Sequence, residues 1–420
     1  MIITELQQLY AAHPNVEGMY RLLQDNSVRH LYCSGLCASA ASLFSSVLIQ
    51  RVECPFVFIL GDLEEAGYFY HDLTQILGTE QVLFFPSSFR RAIKYGQKDA
   101  ANEILRTEVL SRLQKGEEGL CVVTYPDALA EKVVSRKELG DKTLKLHLGE
   151  KVDMDFVTEV LRSYSFEYVD YVYEPGQYAV RGSIIDVFSF SSEFPFRIDF
   201  FGDEVESIRT FEVESQLSKE KKENIVIVPD LSHSLEQRGN GGMVSFLDFL
   251  QPDTLLAMKD FLWLRERIQT VHDEALTAQA IAAREAEENG LISLDGKLID
   301  GGEFTLRALD FRRIEFGTKP TGTPDATVTF NTTAQPIFHK NFDLVAESFH
   351  DYLSRNYALY ICSDSLKQTE RIRAIFEDRG DNISFTSVER TLHEGFADDA
   401  LRLCIFTDHQ LFDRFHKYNL

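Results

Sequence analysis

Little in this sequence favours the secreted, membrane-spanning or polyanion-coating classes of protein. Its six cysteines (Cys33, Cys37, Cys54, Cys121, Cys362 and Cys404) include no Cys-x-x-Cys pair and sit mostly among apolar neighbours, as in Leu120-Cys121-Val122-Val123. That excludes a disulfide frame or zinc ribbon and reads as buried, reduced thiols. The first residues, Met1-Ile2-Ile3-Thr4-Glu5, lack the basic and long apolar regions of an export signal. No apolar run approaches the roughly 20 residues that span a bilayer. A cytoplasmic location without a membrane partner is the expectation. Basic residues are scarce: 43 Lys and Arg stand against 66 Asp and Glu, a formal net charge of -23. The molecule as a whole repels polyanions, so any nucleic-acid contact must be local. The 11 histidines show neither His-Glu-x-x-His nor other metal-like spacing, and no Gly-x-Ser-x-Gly elbow exists. Neither a metal ion nor a catalytic residue is expected, and Asp408-His409 reads as a structural pair.

What is present is an ordinary globular composition, 44% hydrophobic and 26% charged, in a 420-residue chain long enough for about three domains. From Ser27 to about Ala130, apolar runs at His30 to Ser34, Phe56 to Leu60, Val82 to Phe85 and Leu120 to Thr124 alternate with amphipathic stretches at Ala38 to Gln50, Leu63 to Leu77 and Asp99 to Leu113. Strand and helix in turn imply a parallel sheet with right-handed crossovers. After a helix around Phe156 to Ser163 the rhythm changes. Strand-like runs at Tyr168 to Tyr173, Gln177 to Val180, Ile184 to Phe190, Phe196 to Phe201 and Val205 to Val213 are separated by turn signals such as Arg181-Gly182 and Gly202-Asp203. This spacing predicts an antiparallel meander inserted into the α/β domain. Strands at Ile225 to Val228 and Thr254 to Met258 are expected to complete the first sheet. A charged helix from Asp260 to Glu288 follows them. A last α/β unit has helices near Asp343 to Arg355 and Leu366 to Asp378, strands at Ala358 to Cys362 and Leu403 to Thr407, and a helical-looking end from Phe412 to Tyr418. The resulting division is 1–145 and 219–325 for the two parts of an α/β domain, 146–218 for an α+β insertion, and 326–420 for a further α/β domain.

The first strand runs into Gly35-Leu36-Cys37-Ala38-Ser39-Ala40-Ala41-Ser42. A phosphate loop needs Gly-x-x-x-x-Gly-Lys-Ser/Thr at this strand-to-helix turn: glycines let backbone N–H groups close on phosphates, the lysine neutralises their charge, and the hydroxyl holds Mg²⁺. Gly35 and Ser42 fit, but Ala40 and Ala41 replace the second glycine and the lysine. Loss of that ammonium argues against hydrolysis. After the strand ending at Met258, Lys259-Asp260 stands where an ATPase places its acidic metal-binding pair, with Lys259 in one acidic position. Any strand-to-helix turn rich in small residues would also read this way.

The stretch Tyr178-Ala179-Val180-Arg181-Gly182-Ser183-Ile184-Ile185-Asp186-Val187-Phe188, followed by Pro195-Phe196-Arg197-Ile198-Asp199-Phe200-Phe201-Gly202-Asp203-Glu204, resembles the small inserted domain shared by UvrB and the transcription-repair coupling factors. The Arg-Gly-x-x-x-Asp-x-Phe and Arg-x-Asp-Phe-Phe-x-Asp-Glu elements come in that family's order, and Glu174-x-Gly176-x-Tyr178 fits the coupling factors more closely than UvrB. Along the strand from Phe196, side chains alternate: Phe196, Ile198 and Phe200 share one face, Arg197, Asp199 and Phe201 the other. One large aromatic beside an arginine on a polar face is a common interface composition. Arginines paired to Asp186, Asp199 or Glu204, with Phe201 tucked under an edge, are the plainer alternative.

The resemblance covers essentially the whole chain. It implies a helicase-like domain interrupted by a UvrA-binding insertion, with the UvrA-contacting positions at Arg181, Arg197 and Phe201. It also implies that the RNA-polymerase-binding module and the ATP- and Mg-dependent translocase on double-stranded DNA lie in a part of the full protein absent from this chain, which needs no cofactor of its own. Where UvrB carries a long aromatic hairpin, Phe89-Arg90-Arg91-Ala92-Ile93-Lys94-Tyr95 is short, and damage probing by it is not expected. The basic cluster Arg90, Arg91, Lys94 and Lys98 reads as a solvated face. The alternatives to a recruitment scaffold are a nucleotide-binding enzyme with an unorthodox loop and a damaged-DNA-binding relative of UvrB.

Overall fold

The computed structural model describes residues 1–89, 99–231, 242–286 and 296–418; the cluster from Arg90 to Lys98 lies outside them. Seven parallel strands form the main sheet, in the order Ala326–Thr329, His30–Ser34, Arg312–Phe316, Leu255–Lys259, Phe56–Ile59, Cys121–Thr124 and Val82–Phe84. Every residue of Phe56–Ile59 and of Cys121–Thr124 is buried. Such unbroken apolar strands arise where both faces of a parallel sheet are covered. Strands from early and late in the chain interleave: His30–Ser34 lies between Arg312–Phe316 and Ala326–Thr329, and Leu255–Lys259 lies against Phe56–Ile59. Neither half makes this sheet alone.

Arg312–Phe316 is a central strand with no counterpart among the sequence-based expectations. Its polar residues disguise it. Arg312 donates to the carbonyls of Leu23 (2.6 Å), Asp25 (3.0 Å) and Val28 (3.1 Å), closing off the end of helix Pro14–Gln24. Buried Glu315 is satisfied by His30 Nε2 at 2.5 Å and the Thr321 amide at 2.9 Å.

The expectation that the strand at Ile225 joins the main sheet is corrected. Asn224–Ile227 pairs antiparallel with Leu144–His147 as a separate two-stranded ribbon. Between these two strands rises a six-stranded sheet in the order Ser218–Lys221, Glu204–Phe211, Phe196–Phe201, Ile184–Val187, Gln177–Arg181 and Glu167–Tyr168. Val157 and Leu161 of helix Met154–Ser163 pack with Tyr178, Ile185, Val187, Phe196, Ile198 and Phe200 into one core. A second correction falls at the sheet's margin: of the expected strand Tyr168 to Tyr173 only Tyr168 is in a strand, Glu167–Tyr168. The rest crosses the other face irregularly, where buried Val172 joins Ala179, Phe188 and Phe211.

The last unit is a five-stranded mixed sheet, Thr332–Ala334, Phe396–Asp398, Leu403–Thr407, Ala358–Ser363 and Thr386–Glu389, with helices Phe342–Ser354 and Leu366–Arg379 over it. The expected helix at Phe412 to Tyr418 is absent; the helix there is Asp408–Leu411. The chain's beginning returns to this sheet, Ile2 bridging Glu389. No helix is long and apolar enough to cross a membrane among the described residues.

Buried Asp398 ties these parts together. It accepts from the Tyr10 hydroxyl at 2.6 Å, and His13 Nε2 stands 3.5 Å away. Burial pushes this carboxyl up, but the His13 and Tyr10 side chains outweigh it and hold it below the usual carboxylate range. Tyr10→Phe is expected to cost about 1–3 kcal/mol, as a buried acceptor loses its donor. Because the folded value is the depressed one, this stabilisation is present above the unfolded carboxylate value of about 3.9 and is lost as pH falls through the lower folded value. Urea denaturation of both forms from neutral to acid pH checks it: the gap should close on acidification.

Candidate functional site

The residues singled out in the sequence fall in two places. The first is the loop after His30–Ser34. Gly35 takes a left-handed conformation (φ 80°), and a Cβ there would lie 2.0 Å from the Phe330 carbonyl oxygen, so only glycine fits. Helix Ala40–Arg51 follows, as a phosphate loop would require. Several of the loop's polar groups are already engaged. The Cys37 amide donates to Thr332 Oγ1 (3.0 Å) and the Ser39 amide to the Glu394 carbonyl (3.2 Å). Ser42, the position that would hold Mg²⁺, donates to Asp72 Oδ2 at 2.7 Å, as does Ser39. The His393 amide donates to Asp72 Oδ1 at 2.8 Å, and the Glu394 amide to Ser39 Oγ at 3.0 Å. Burial raises the Asp72 carboxyl, an effect that the Ser42, Ser39 and His393 donors partly offset.

Beside this loop lies a cavity of about 650 Å³, whose lining sets Asp62, Glu64, Glu65, Asp72 and Glu394 against Lys259. Lys259 is itself paired with Glu65. Asp260 (φ 53°) accepts from the Thr318 amide at 3.1 Å, and a side chain at Gly317 would collide with its carboxylate. A pocket is present beside the loop that the sequence suggests as a decayed phosphate loop. Its charge is wrong for phosphates, and Ala40 and Ala41 bring no cation to correct it.

The second place is the outer face of the six-stranded sheet. The hairpin turns at Gly182 and Gly202 both have positive φ, 59° and 63°, and lie at one end of the sheet. There the Phe200 amide donates to the Ser183 carbonyl (2.9 Å), and Ser183 Oγ donates to Asp199 (2.8 Å). Alternation along Phe196–Phe201 is as the sequence implies, with Phe196, Ile198 and Phe200 buried and Phe201 76% exposed. Phe201 is therefore not tucked under an edge.

The arginines differ from that simple picture. Both converge on Asp186, which is fully buried: Arg197 binds it through Nε (2.9 Å) and Nη2 (3.1 Å), and Arg181 through Nη2. Arg197 also donates to the Gln216 carbonyl (2.9 Å) and lies over the Phe211 ring, leaving its side chain 14% exposed. Arg181, 40% exposed, lies over the ring of Tyr171. The pairing with Asp186 given as the plainer alternative is thus what these arginines do, and Arg197 is mostly covered. Tyr168, Tyr171 and Tyr173 are exposed along the same margin. Sequence reasoning missed them by assigning all three to one strand. Their signal was the Tyr-x-x-Tyr-x-Tyr run itself.

Residues 144–233 match the family model for the UvrB interaction domain. The chain is thus a helicase-like α/β framework interrupted by that domain. It is similar to the N-terminal region of the transcription-repair-coupling factors. It is 29% identical over 196 residues to that factor from Escherichia coli K12, covering 46% of this chain and 17% of the relative. With that of Bacillus subtilis 168 it is 30% identical over 197 residues, covering 47% and 17%. With that of Staphylococcus aureus RF122 it is 21% identical over an alignment of 459 residues, covering 90% and 38%. The chain therefore spans well under half the length of these curated relatives.

Proposed function

We propose that this chain is a non-catalytic recruitment module of transcription-coupled nucleotide excision repair, acting in the cytoplasm and binding UvrA through the outer face of its inserted sheet. The observation that carries the reading is Phe201: a large apolar ring, exposed at the hairpin tip of strand Phe196–Phe201, on a domain matching the UvrB interaction family. Buried Asp186, which holds both Arg197 and Arg181, keeps that face rigid, so little ordering is needed on docking. Capture of purified UvrA by the chain, followed by calorimetry, tests it. A dissociation constant between nanomolar and micromolar is the expected result, on the usual scale for specific interfaces. No heat and no capture at tens of micromolar would sink the proposal.

The loop at Gly35 to Ser42 belongs to the same reading as a fold retained without its nucleotide chemistry. Ser42 is committed to Asp72, two loop amides are occupied, and the cavity is acidic. The expected outcome of titrating the chain with ATP and Mg²⁺ is no measurable binding and no phosphate release. Saturable binding with turnover would instead support a nucleotide-driven enzyme. ATP, Mg²⁺, RNA polymerase and double-stranded DNA are then the business of other parts of a longer protein, as the partial coverage of the relatives accommodates.

A further inference from the structure

Three histidines from three successive segments of the last unit meet where that unit touches helix Leu63–Leu77. His393 comes from the loop before strand Phe396–Asp398, His409 from helix Asp408–Leu411, and His416 from the segment beyond it. Their potential ligand nitrogens all lie within 4.8 Å of one another. His393 Nδ1 and His416 Nδ1 are 3.2 Å apart. Two imidazoles on one tetrahedral zinc, each about 2.0–2.1 Å from the metal, have nitrogens about 3.3 Å apart, so this pair already stands at ligand spacing.

Two further observations point the same way. His71 on helix Leu63–Leu77 has a buried Nε2 without any hydrogen-bond partner, and its ring centre is 5.0 Å from that of His416. Carboxylates also stand behind the rings: Glu394 Oε1 is 3.4 Å from His393 Nε2, and Asp408 Oδ1 is 3.7 Å from His409 Nδ1. Metal-bound histidines characteristically give their second nitrogen to such a group, which fixes ring orientation.

We propose that His393, His409 and His416, with His71 as a fourth donor, form a binding site for a zinc-class transition-metal dication. All-imidazole donor sets suit zinc, copper and nickel, not magnesium or calcium. The His409 ring is stacked on that of His416 (centres 4.3 Å apart, planes at 11°), with its Nε2 2.6 Å from the His393 carbonyl. Parallel rings cannot aim their in-plane lone pairs at one ion, so binding turns His409 out of this stack. The bound ion clamps three segments of the last unit to the helix that carries His71 and Tyr68. Tyr68 already stacks on His393 and donates to the His416 carbonyl at 2.7 Å. The clamp sits beside the Ser39–Asp72–His393 contacts and fastens the last unit onto the main sheet domain.

The test is titration of chelator-treated chain with zinc, read by calorimetry and thermal unfolding, and with cobalt(II), read by visible absorption. One equivalent of zinc at micromolar concentration, a raised unfolding midpoint and cobalt bands of a tetrahedral nitrogen set are expected. His393→Ala and His416→Ala should lose the stoichiometric equivalent. His147→Ala, on the ribbon at the base of the inserted domain, should keep it. Substoichiometric zinc, or a midpoint shift that survives in a folded His393→Ala/His416→Ala double variant, overturns the site. If those variants do not fold, absence of the cobalt bands from the unaltered chain overturns it equally. UvrA binding is not involved in any of these readouts.

Discussion

Phe201→Ala should weaken UvrA binding about 30-fold or more while leaving thermal unfolding of the chain where it was. The two halves of this expectation have separate causes. Phe201 ends strand Phe196–Phe201 at a two-residue turn, with 76% of its surface open and its neighbours Phe200 and Val205 in the core. Removing an exposed ring takes nothing from that core, and surface substitutions of this kind generally stay within about 0.5 kcal/mol. At an interface the same ring is fully desolvated. Central aromatic anchors commonly cost about 2 kcal/mol or more on truncation, which at about 1.4 kcal/mol per decade is roughly 30-fold in affinity. Calorimetry with UvrA and a melting curve on the same sample check both halves. An affinity within about threefold of the unaltered chain would remove Phe201 from the interface and with it the observation on which the recruitment reading rests.

The sheets were legible in the sequence where one physical rule governed a segment, and illegible where long-range pairing overrode it. Phe56–Ile59 and Cys121–Thr124 are apolar because both faces are covered, and Phe196–Phe201 alternates because one face is open. Arg312–Phe316 follows neither pattern: its arginine and glutamate are satisfied by carbonyls and a histidine nearly 300 residues away, which no local window reveals. Asn224–Ile227 has the composition of a core strand, yet its partner is Leu144–His147, because the chain must close the neck of an insertion there. At the loop Gly35 to Ser42, the lack of a second glycine and a lysine at Ala40 and Ala41 was readable from the sequence. The engagement of Ser39 and Ser42 with Asp72 was not, since it crosses from one helix to the next, nor were the contacts of Asp72 and Ser39 with His393 and Glu394, which join residues more than 300 positions apart. The histidine cluster escaped because His393, His409 and His416 sit on a loop, a short helix and an irregular segment that only the fold brings together. On the inserted sheet, Phe201 followed from alternation alone, whereas the role of Arg197 depended on knowing that Asp186 has no solvent to share its charge with.

That last point leads to the largest expected effect on stability. Asp186→Asn should destabilise the chain by about 3 kcal/mol or more. The buried carboxylate serves two guanidiniums at once, bidentate to Arg197 and through one further bond to Arg181. An amide of the same shape cannot offer two acceptor oxygens. It keeps one oxygen for two guanidiniums and sets a donor against Arg197, whose side chain is only 14% exposed and whose other partners are the Gln216 carbonyl and the Phe211 ring. Removing one partner from a buried ion pair typically costs about 3–5 kcal/mol, because a charge stays behind without compensation. The lower end applies here, since Arg181 is 40% exposed and can turn to water. Chemical denaturation read by far-ultraviolet circular dichroism measures the loss; a change below about 1 kcal/mol would mean that the arginines are held by other groups. The comparison with Arg197→Ala then separates structure from contact. If Arg197 acts mainly through Asp186, Arg197→Ala should lower stability and UvrA affinity together, and lowering the temperature to refold the sheet should restore most of the binding. Phe201→Ala should show no such rescue, because the group it removes has nothing to do with holding the face together.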